Sequence, residues 1–267
     1  MYHPFSITQT ISTSWTVLKK NFTTLIVYSI VSLVFYEVAD FFNNFIFVAD
    51  DKRSKFVIIF IQIILQAYLA LSFYKLILTL IDKEFYEFSF RDILPSVKMT
   101  FNFVIIAFLS GILIFLFLLL NLVLERFFGT SIIFQIDKLS DYQLLELLIV
   151  LYLISRSIFC VCFIVDDDSG PFESLKRSFE ITRDNFFKTL SIFLIIISIM
   201  ILALIPVFLL INIFGLDNPD HSYIFILAFF CWFLLTFPFI QVIIMVTYRK
   251  LVYSHLDVDD DDITETV

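Results

Sequence analysis

The chain has 267 residues, 60% of them hydrophobic and 16% charged, with a mean hydropathy of +0.95. Soluble domains carry roughly 45–50% apolar residues, and no soluble globule of this length could bury so much apolar surface, so the chain reads as an integral membrane protein. With only 4 Gly and 6 Pro, a loop-rich or disordered chain is excluded, and the 36 Phe read as lipid-facing surface with no aromatic binding site implied.

The first element reads as an amphipathic helix. Ile7, Ile11, Trp15 and Leu18 form a stripe at helical spacing, with Ser, Thr and Lys on the other face. Lys19-Lys20-Asn21-Phe22 then leads into an apolar run at 22–38, followed by an aromatic stretch suited to an interfacial belt. No small-residue cleavage pattern follows that run, so a cleaved signal peptide is not expected. At about 17–25 residues per span, further runs lie at 56–81, 100–123, 143–165, 187–213 and 222–247.

The beginning of the chain returns later. Ser14 to Phe22 (SWTVLKKNF) reappears as Ser178 to Phe186 (SFEITRDNF), and a weaker copy ends at Asn102-Phe103, which gives a period of roughly 82 residues. Six spans in three copies is two per copy. The expected fold is therefore an all-α, six-span membrane domain over 1–253, built of three helix-hairpin repeats at about 5–88, 89–169 and 170–253. An amphipathic interfacial helix is expected before each hairpin. In the second copy Phe90, Leu94, Val97 and Phe101 would form its stripe, and in the third Phe172, Leu175, Phe179, Thr182 and Phe186, with Pro171 in the first turn. Residues 254–267 read as a solvated acidic tail, the source of much of the net charge of −8.

Basic residues orient the spans. Eleven of the 18 Lys and Arg lie on the side of the N-terminus (Lys19, Lys20, Lys83, Arg91, Lys98, Lys176, Arg177, Arg183, Lys188, Arg249, Lys250). Only Lys52, Arg53, Lys55, Arg126 and Lys138 lie opposite, so both termini are expected in the cytoplasm. The amphipathic helices would lie apolar face down, with Lys19, Lys20, Lys176, Arg177 and Arg183 among anionic headgroups. In this reading Asn-Phe marks the elbow into the membrane.

Lys75 and Arg156 fall inside apolar runs, 81 residues apart and so at near-equivalent repeat positions. A charge in hydrocarbon costs about 2.5–3.5 kcal/mol on insertion scales. Either the long stems snorkel to the headgroups, or the two cations form an intramembrane site with Glu146, with Gln62 or Gln66, or with a lipid phosphate. The third copy places Pro238, Phe239 and Gln241 there.

Catalytic constellations are thin. His3, His221 and His255 do not converge in sequence, and there is no HExxH, CxxC or P-loop pattern. Asp166-Asp167-Asp168 with Glu173 reads as a solvated loop and helix N-cap, with chelation of a divalent ion as the sharper alternative. Cys160, Cys162 and Cys231 read as reduced packing residues.

The stretch from Arg156 to Phe187, RSIFCVCFIVDDDSGPFESLKRSFEITRDNFF, resembles a bacterial six-span membrane family. That family includes the membrane domain of some glycerophosphodiester phosphodiesterases and the YciC-like inner-membrane proteins. ESLKRSFEITRDNFF is the most specific part, and STSWTVLKKNF fits as a degenerate copy. The resemblance implies a six-helix domain in the bacterial cytoplasmic membrane and brings no catalytic residues; the soluble barrel that follows in the phosphodiesterases has no counterpart in the short acidic tail. The expected function is a non-catalytic, multi-pass protein that binds or organises lipid, or a membrane or cytoplasmic protein partner, at the cytoplasmic face. No cofactor, metal or nucleic-acid partner is expected. The alternative is a small transporter or lipid translocator using Lys75, Arg156 and Glu146, and a lipid-modifying enzyme is a remote third.

Overall fold

A computed structural model of the protein describes residues 6–41, 52–82, 89–128, 141–214 and 222–253. All regular structure among them is helical: α1 (Ile7–Lys20), α2 (Phe22–Phe41), α3 (Lys52–Asp82), a 3-10 turn (Phe90–Ile93), α4 (Val97–Phe128), α5 (Asp141–Ser157), α6 (Cys160–Asp167), α7 (Pro171–Arg183), α8 (Phe186–Phe214) and α9 (Ser222–Tyr253). Five stretches are long and apolar enough to cross a bilayer: Val57–Asp82, Phe90–Phe117, Leu148–Asp167, Phe186–Leu210 and Leu227–Val252. The pair α1 and α2, bent by 77°, counts as a sixth if taken together.

The 77° bend has a local cause. The Asn21 backbone N–H still donates to Val17 O at 3.1 Å, and its side-chain Nδ2 donates to the same oxygen at 3.1 Å. Asn21 itself leaves helical geometry at φ −113°, ψ 19°, so α1 is capped and α2 restarts in a new direction. The two helices therefore stand nearly perpendicular to one another.

The faces of α1 differ from the two-sided reading. Trp15 is exposed, as a lipid-facing position should be, but Leu18 from the same stripe is buried. The other buried residues of α1 are Thr10 and Ser14. Their hydroxyls donate to carbonyls one turn back, Thr10 to Ser6 O at 2.8 Å and Ser14 to Thr10 O at 2.7 Å. A hydroxyl satisfied within its own helix can be buried without an outside partner, and its small size allows close helix approach. α7 repeats this pattern with Ser174, Ser178 and Thr182 buried while Phe172 and Leu175 are exposed. The polar face therefore splits into inward hydroxyls and outward charges.

The second expected amphipathic helix is not a helix. Pro95 disfavours helical geometry at the preceding residue, and Leu94 is extended at ψ 122°. Phe90 lies in the 3-10 turn, Val97 and Phe101 lie in α4, and Ser96 Oγ accepts the Met99 N–H at 3.1 Å to start that helix. The fourth expected span, 143–165, overlaps the membrane-length stretch Leu148–Asp167, within which the helix breaks at Ile158-Phe159. The short α6 carries buried Cys160, Cys162, Phe163, Ile164 and Val165, so it is a protein-covered helix and not a lipid-facing one.

Burial is uneven along the bundle. The core gathers Leu71 to Leu80 of α3, α6, and Val242 to Tyr248 of α9. In contrast Phe108 and Leu113 to Leu116 of α4, and Ile201, Leu202, Phe208 and Leu209 of α8, are exposed. Contacts run round the packed end: α3 meets the 3-10 turn and α4, α5 and α6 meet α7, and α9 meets α1. Trp15 and Phe239 form an edge-on aromatic pair at the α1–α9 contact, with centroids 5.6 Å apart.

The buried hydroxyl stripe should resist enlargement. Ser178→Leu is expected to cost about 1–3 kcal/mol by overpacking, whereas Phe172→Ala on the exposed face should stay within about 0.5 kcal/mol. Thermal unfolding of the two variants in the same detergent checks the difference.

Candidate functional site

The charged residues of the packed end converge where three helices finish. Asp82 is the last residue of α3, Asp166 lies in the last turn of α6, and Arg249 lies near the end of α9. Arg249 pairs through Nη2 with Asp82 and through Nη1 with Asp166 Oδ2 at 3.2 Å. Tyr248 Oη donates to the same Asp166 oxygen at 2.8 Å. The Tyr248 ring is buried and meets Phe163 edge-on with centroids 5.1 Å apart. Carboxylates at helix C-termini face the negative end of the dipole, whereas a cation there is favoured. Arg249 resolves that conflict for two helices at once, at side-chain exposures of 17% for Arg249 and 11% for Asp166.

The next two aspartates reach other helices. Asp167 Oδ2 takes Arg177 Nη1 at 2.6 Å, and Arg177 Nη2 also reaches Glu173 Oε1 at 2.6 Å. Asp168 Oδ2 takes Lys98 Nζ at 2.9 Å, and the same ammonium donates to the Asp168 carbonyl at 3.2 Å. Asp168 ends α6 in the left-handed region at φ 52°, a conformation Asp tolerates better than most residues. Beyond it the Asn102 amide donates to Ser169 O at 3.1 Å. The three consecutive aspartates thus bind α9, α7 and α4 in turn. Asp167 and Asp168 border solvent, at 40% side-chain exposure each, while pairing with other helices. The three do not converge as chelating ligands do, and no group of three metal-ligating side chains occurs among the described residues.

The seven cations singled out from sequence separate into two kinds. Lys75 donates through Nζ to Leu94 O at 3.0 Å, an otherwise open carbonyl in the break before α4. Arg156 is half-buried, with its guanidinium carbon 5.1 Å from the Phe179 ring centroid and 5.8 Å from that of Tyr152. Its backbone carbonyl accepts from Ser178 Oγ at 2.7 Å. Arg177 is held by the two carboxylates. Lys19, Lys20 and Arg183 are exposed and have no ionic partner among the described residues. Lys176 reaches Glu180 only at 3.9 Å, with both side chains well exposed.

Lys75 and Arg156 therefore serve different partners, and no hydrogen bond or ion pair joins them. Glu146 lies on α5, but its side chain is outside the described residues. Gln66 lines a small cleft of about 190 Å³ with Ser29, Ser32 and Phe237. A larger cleft of about 800 Å³ between α3 and α4 is apolar, lined by residues such as Ile59, Ile63, Phe108 and Ile112. The third equivalent position is the buried Pro238 within α9.

Sequence reasoning passed over Asp82, Asp166 and Arg249 as a group. Their spacing carried a signal, since Asp82, Asp166 and Arg249 lie 84 and 83 residues apart, close to the expected period of roughly 82. No family model, curated protein or solved structure matches the chain.

Removing Arg249 leaves two carboxylates uncompensated at the helix ends. Arg249→Leu is expected to destabilise towards the lower end of the about 3–5 kcal/mol typical of a broken buried pair, because Asp82 retains some contact with water. Adding Asp82→Asn and Asp166→Asn should recover part of the loss. A denaturant or thermal series on the single and triple variants measures both effects.

Proposed function

We propose that the chain is a non-catalytic, multi-pass protein of the bacterial cytoplasmic membrane that binds or organises anionic lipid at the cytoplasmic face. It belongs, on this reading, beside the six-span family that residues 156–187 resemble. Six spans would be arranged as three related hairpins, with both termini cytoplasmic. The observation that carries the reading is the exposed, unpaired set Lys19, Lys20 and Arg183 at the two helix junctions, flanked by exposed Trp15, Phe22 and Phe187. Aromatic and basic side chains side by side suit the headgroup layer, where rings anchor at the boundary and cations meet phosphates. The bend at Asn21 supports a helix lying in that layer with its lysines beside the headgroups.

The same end of the molecule is otherwise neutralised internally. Arg249, Arg177 and Lys98 are each occupied by an aspartate of the chain, so the cations at the elbows are among those left for an outside anion. A packed apolar centre with Leu76, Ile77, Ile164, Ile243 and Met245 buried supports a lipid-organising role over passage of a solute through the bundle. A protein partner on the same basic surface is the other occupant the reading allows.

Each basic side chain near an anionic leaflet contributes about 1 kcal/mol. The triple variant Lys19→Gln/Lys20→Gln/Lys176→Gln is therefore expected to lower the enrichment of phosphatidylglycerol over phosphatidylcholine in the co-purified lipid shell several-fold. Unchanged enrichment would remove the lipid reading, and a co-purifying protein lost from the variant would replace it with a partner-binding role.

A further inference from the structure

We infer that Arg156, seated on Phe179 and Tyr152, forms a single specific site for the phosphate of one anionic phospholipid. The inference rests on the headgroup reading above and narrows it from a basic surface to one place at the α5–α7 contact.

Among the cations packed into the folded end, Arg156 is the exception. Lys75, Lys98, Arg177 and Arg249 each spend donors on an oxygen of the chain. Arg156 is held by two aromatic faces, which attract its charge but accept none of its N–H groups in the plane. Its Nε is shielded from water and has no acceptor among the described residues. A shielded donor left open costs free energy, and a guanidinium fork matches two oxygens of a phosphate better than any other cationic side chain. The rings fix the plane of the guanidinium in advance, so little order is lost when an anion arrives.

The surroundings select the source of that phosphate. Arg183 lies one turn beyond Phe179 on α7, on the same side of the helix, exposed and without an ionic partner among the described residues. It places a second positive charge beside the first. The outer face of α7 carries exposed Glu173, Lys176 and Glu180, so that face borders water. Arg156 packs directly under α7 and is thereby set at the water boundary, the depth of lipid phosphates. From there an aromatic wall continues onto α8: Tyr152 meets Phe186 at 5.4 Å, Phe186 meets Phe187 at 5.5 Å, and Phe187 is 80% exposed. An acyl chain can lie along that wall, which a free phosphate would leave empty. Lys75 at the matching position is already bound to Leu94 O, and the third position is Pro238. One site per chain follows.

Native mass spectrometry of the full chain in mild detergent, with dioleoylphosphatidylglycerol or dioleoylphosphatidylcholine added, tests this. One phosphatidylglycerol should stay bound to the unaltered chain and to Lys19→Gln/Lys20→Gln/Lys176→Gln. Arg156→Gln should weaken it at least tenfold and Arg156→Lys less. Phe179→Leu, which keeps an apolar side chain and removes the ring, should weaken it several-fold and decides the matter if Arg156→Gln does not fold. Undiminished phosphatidylglycerol on Arg156→Gln, or on a folded Phe179→Leu if that is the deciding variant, overturns the site. Displacement of the lipid by millimolar inorganic phosphate also overturns it, assigning Arg156 to a soluble anion. Loss of the bound lipid in the triple lysine variant but not in Arg156→Gln would keep the headgroup reading and remove this site. Equal retention of both lipids by every variant would remove both.

Discussion

Three helices that end at one point bring their carbonyl ends together, and no carboxylate is comfortable there without a cation. The pairing of Arg249 with Asp82 and Asp166 meets that constraint, and the rest of the packed end is arranged around it. Tyr248 adds a hydrogen bond from below while its ring closes the apolar core over Phe163. One residue further on, Asp167 fixes α7, and one further still, Asp168 fixes α4. Three successive side chains leaving one helix end in different directions require the chain to turn sharply, and the left-handed backbone at Asp168 is where it turns. Electrostatics, capping and topology are therefore one problem at this point, solved within a few residues.

What could be read from the sequence was whatever depends on averages over many residues. The apolar runs were legible because a membrane span is set by length and composition, and the elbow at Asn21 was legible because it returns at Asn185. What failed depended on single side chains. Pro95 replaces an amphipathic helix by a 3-10 turn and a short extended link. Thr10 and Ser14 of α1 were assigned to the wet side because hydroxyls count as polar. Each instead closes a hydrogen bond about one turn back and packs as a small residue, as Ser174 and Thr182 do in α7, whereas Ser178 reaches Arg156 O on another helix. Hydropathy cannot see that, since it scores the group and not its partner. The aspartate run was misread for a related reason, because its partners lie tens of residues away.

Lys75 and Arg156 illustrate how far a repeat can be trusted. They lie 81 residues apart, and Lys75 contacts the break before α4 while Arg156 packs on α7. Their chemistry differs because those segments differ: the break before α4 offers a bare carbonyl, whereas the regular helix α7 offers only a phenyl face.

The contact between α9 and α1 has a consequence for how the molecule is made. α1 is synthesised long before α9, the helix it packs on most extensively. Until α9 arrives, the buried face of α1, with Thr10, Ser14 and Leu18, has lost its main neighbour, and Asp82 and Asp166 wait without their arginine. Loop closure over nearly the whole chain must precede those contacts, which makes them late and slow to form. The helices before α9 can insert one after another, but the charged base can lock only once α9 has been made, so a chain arrested before α9 would sit in the membrane with its helices threaded and its foundation open.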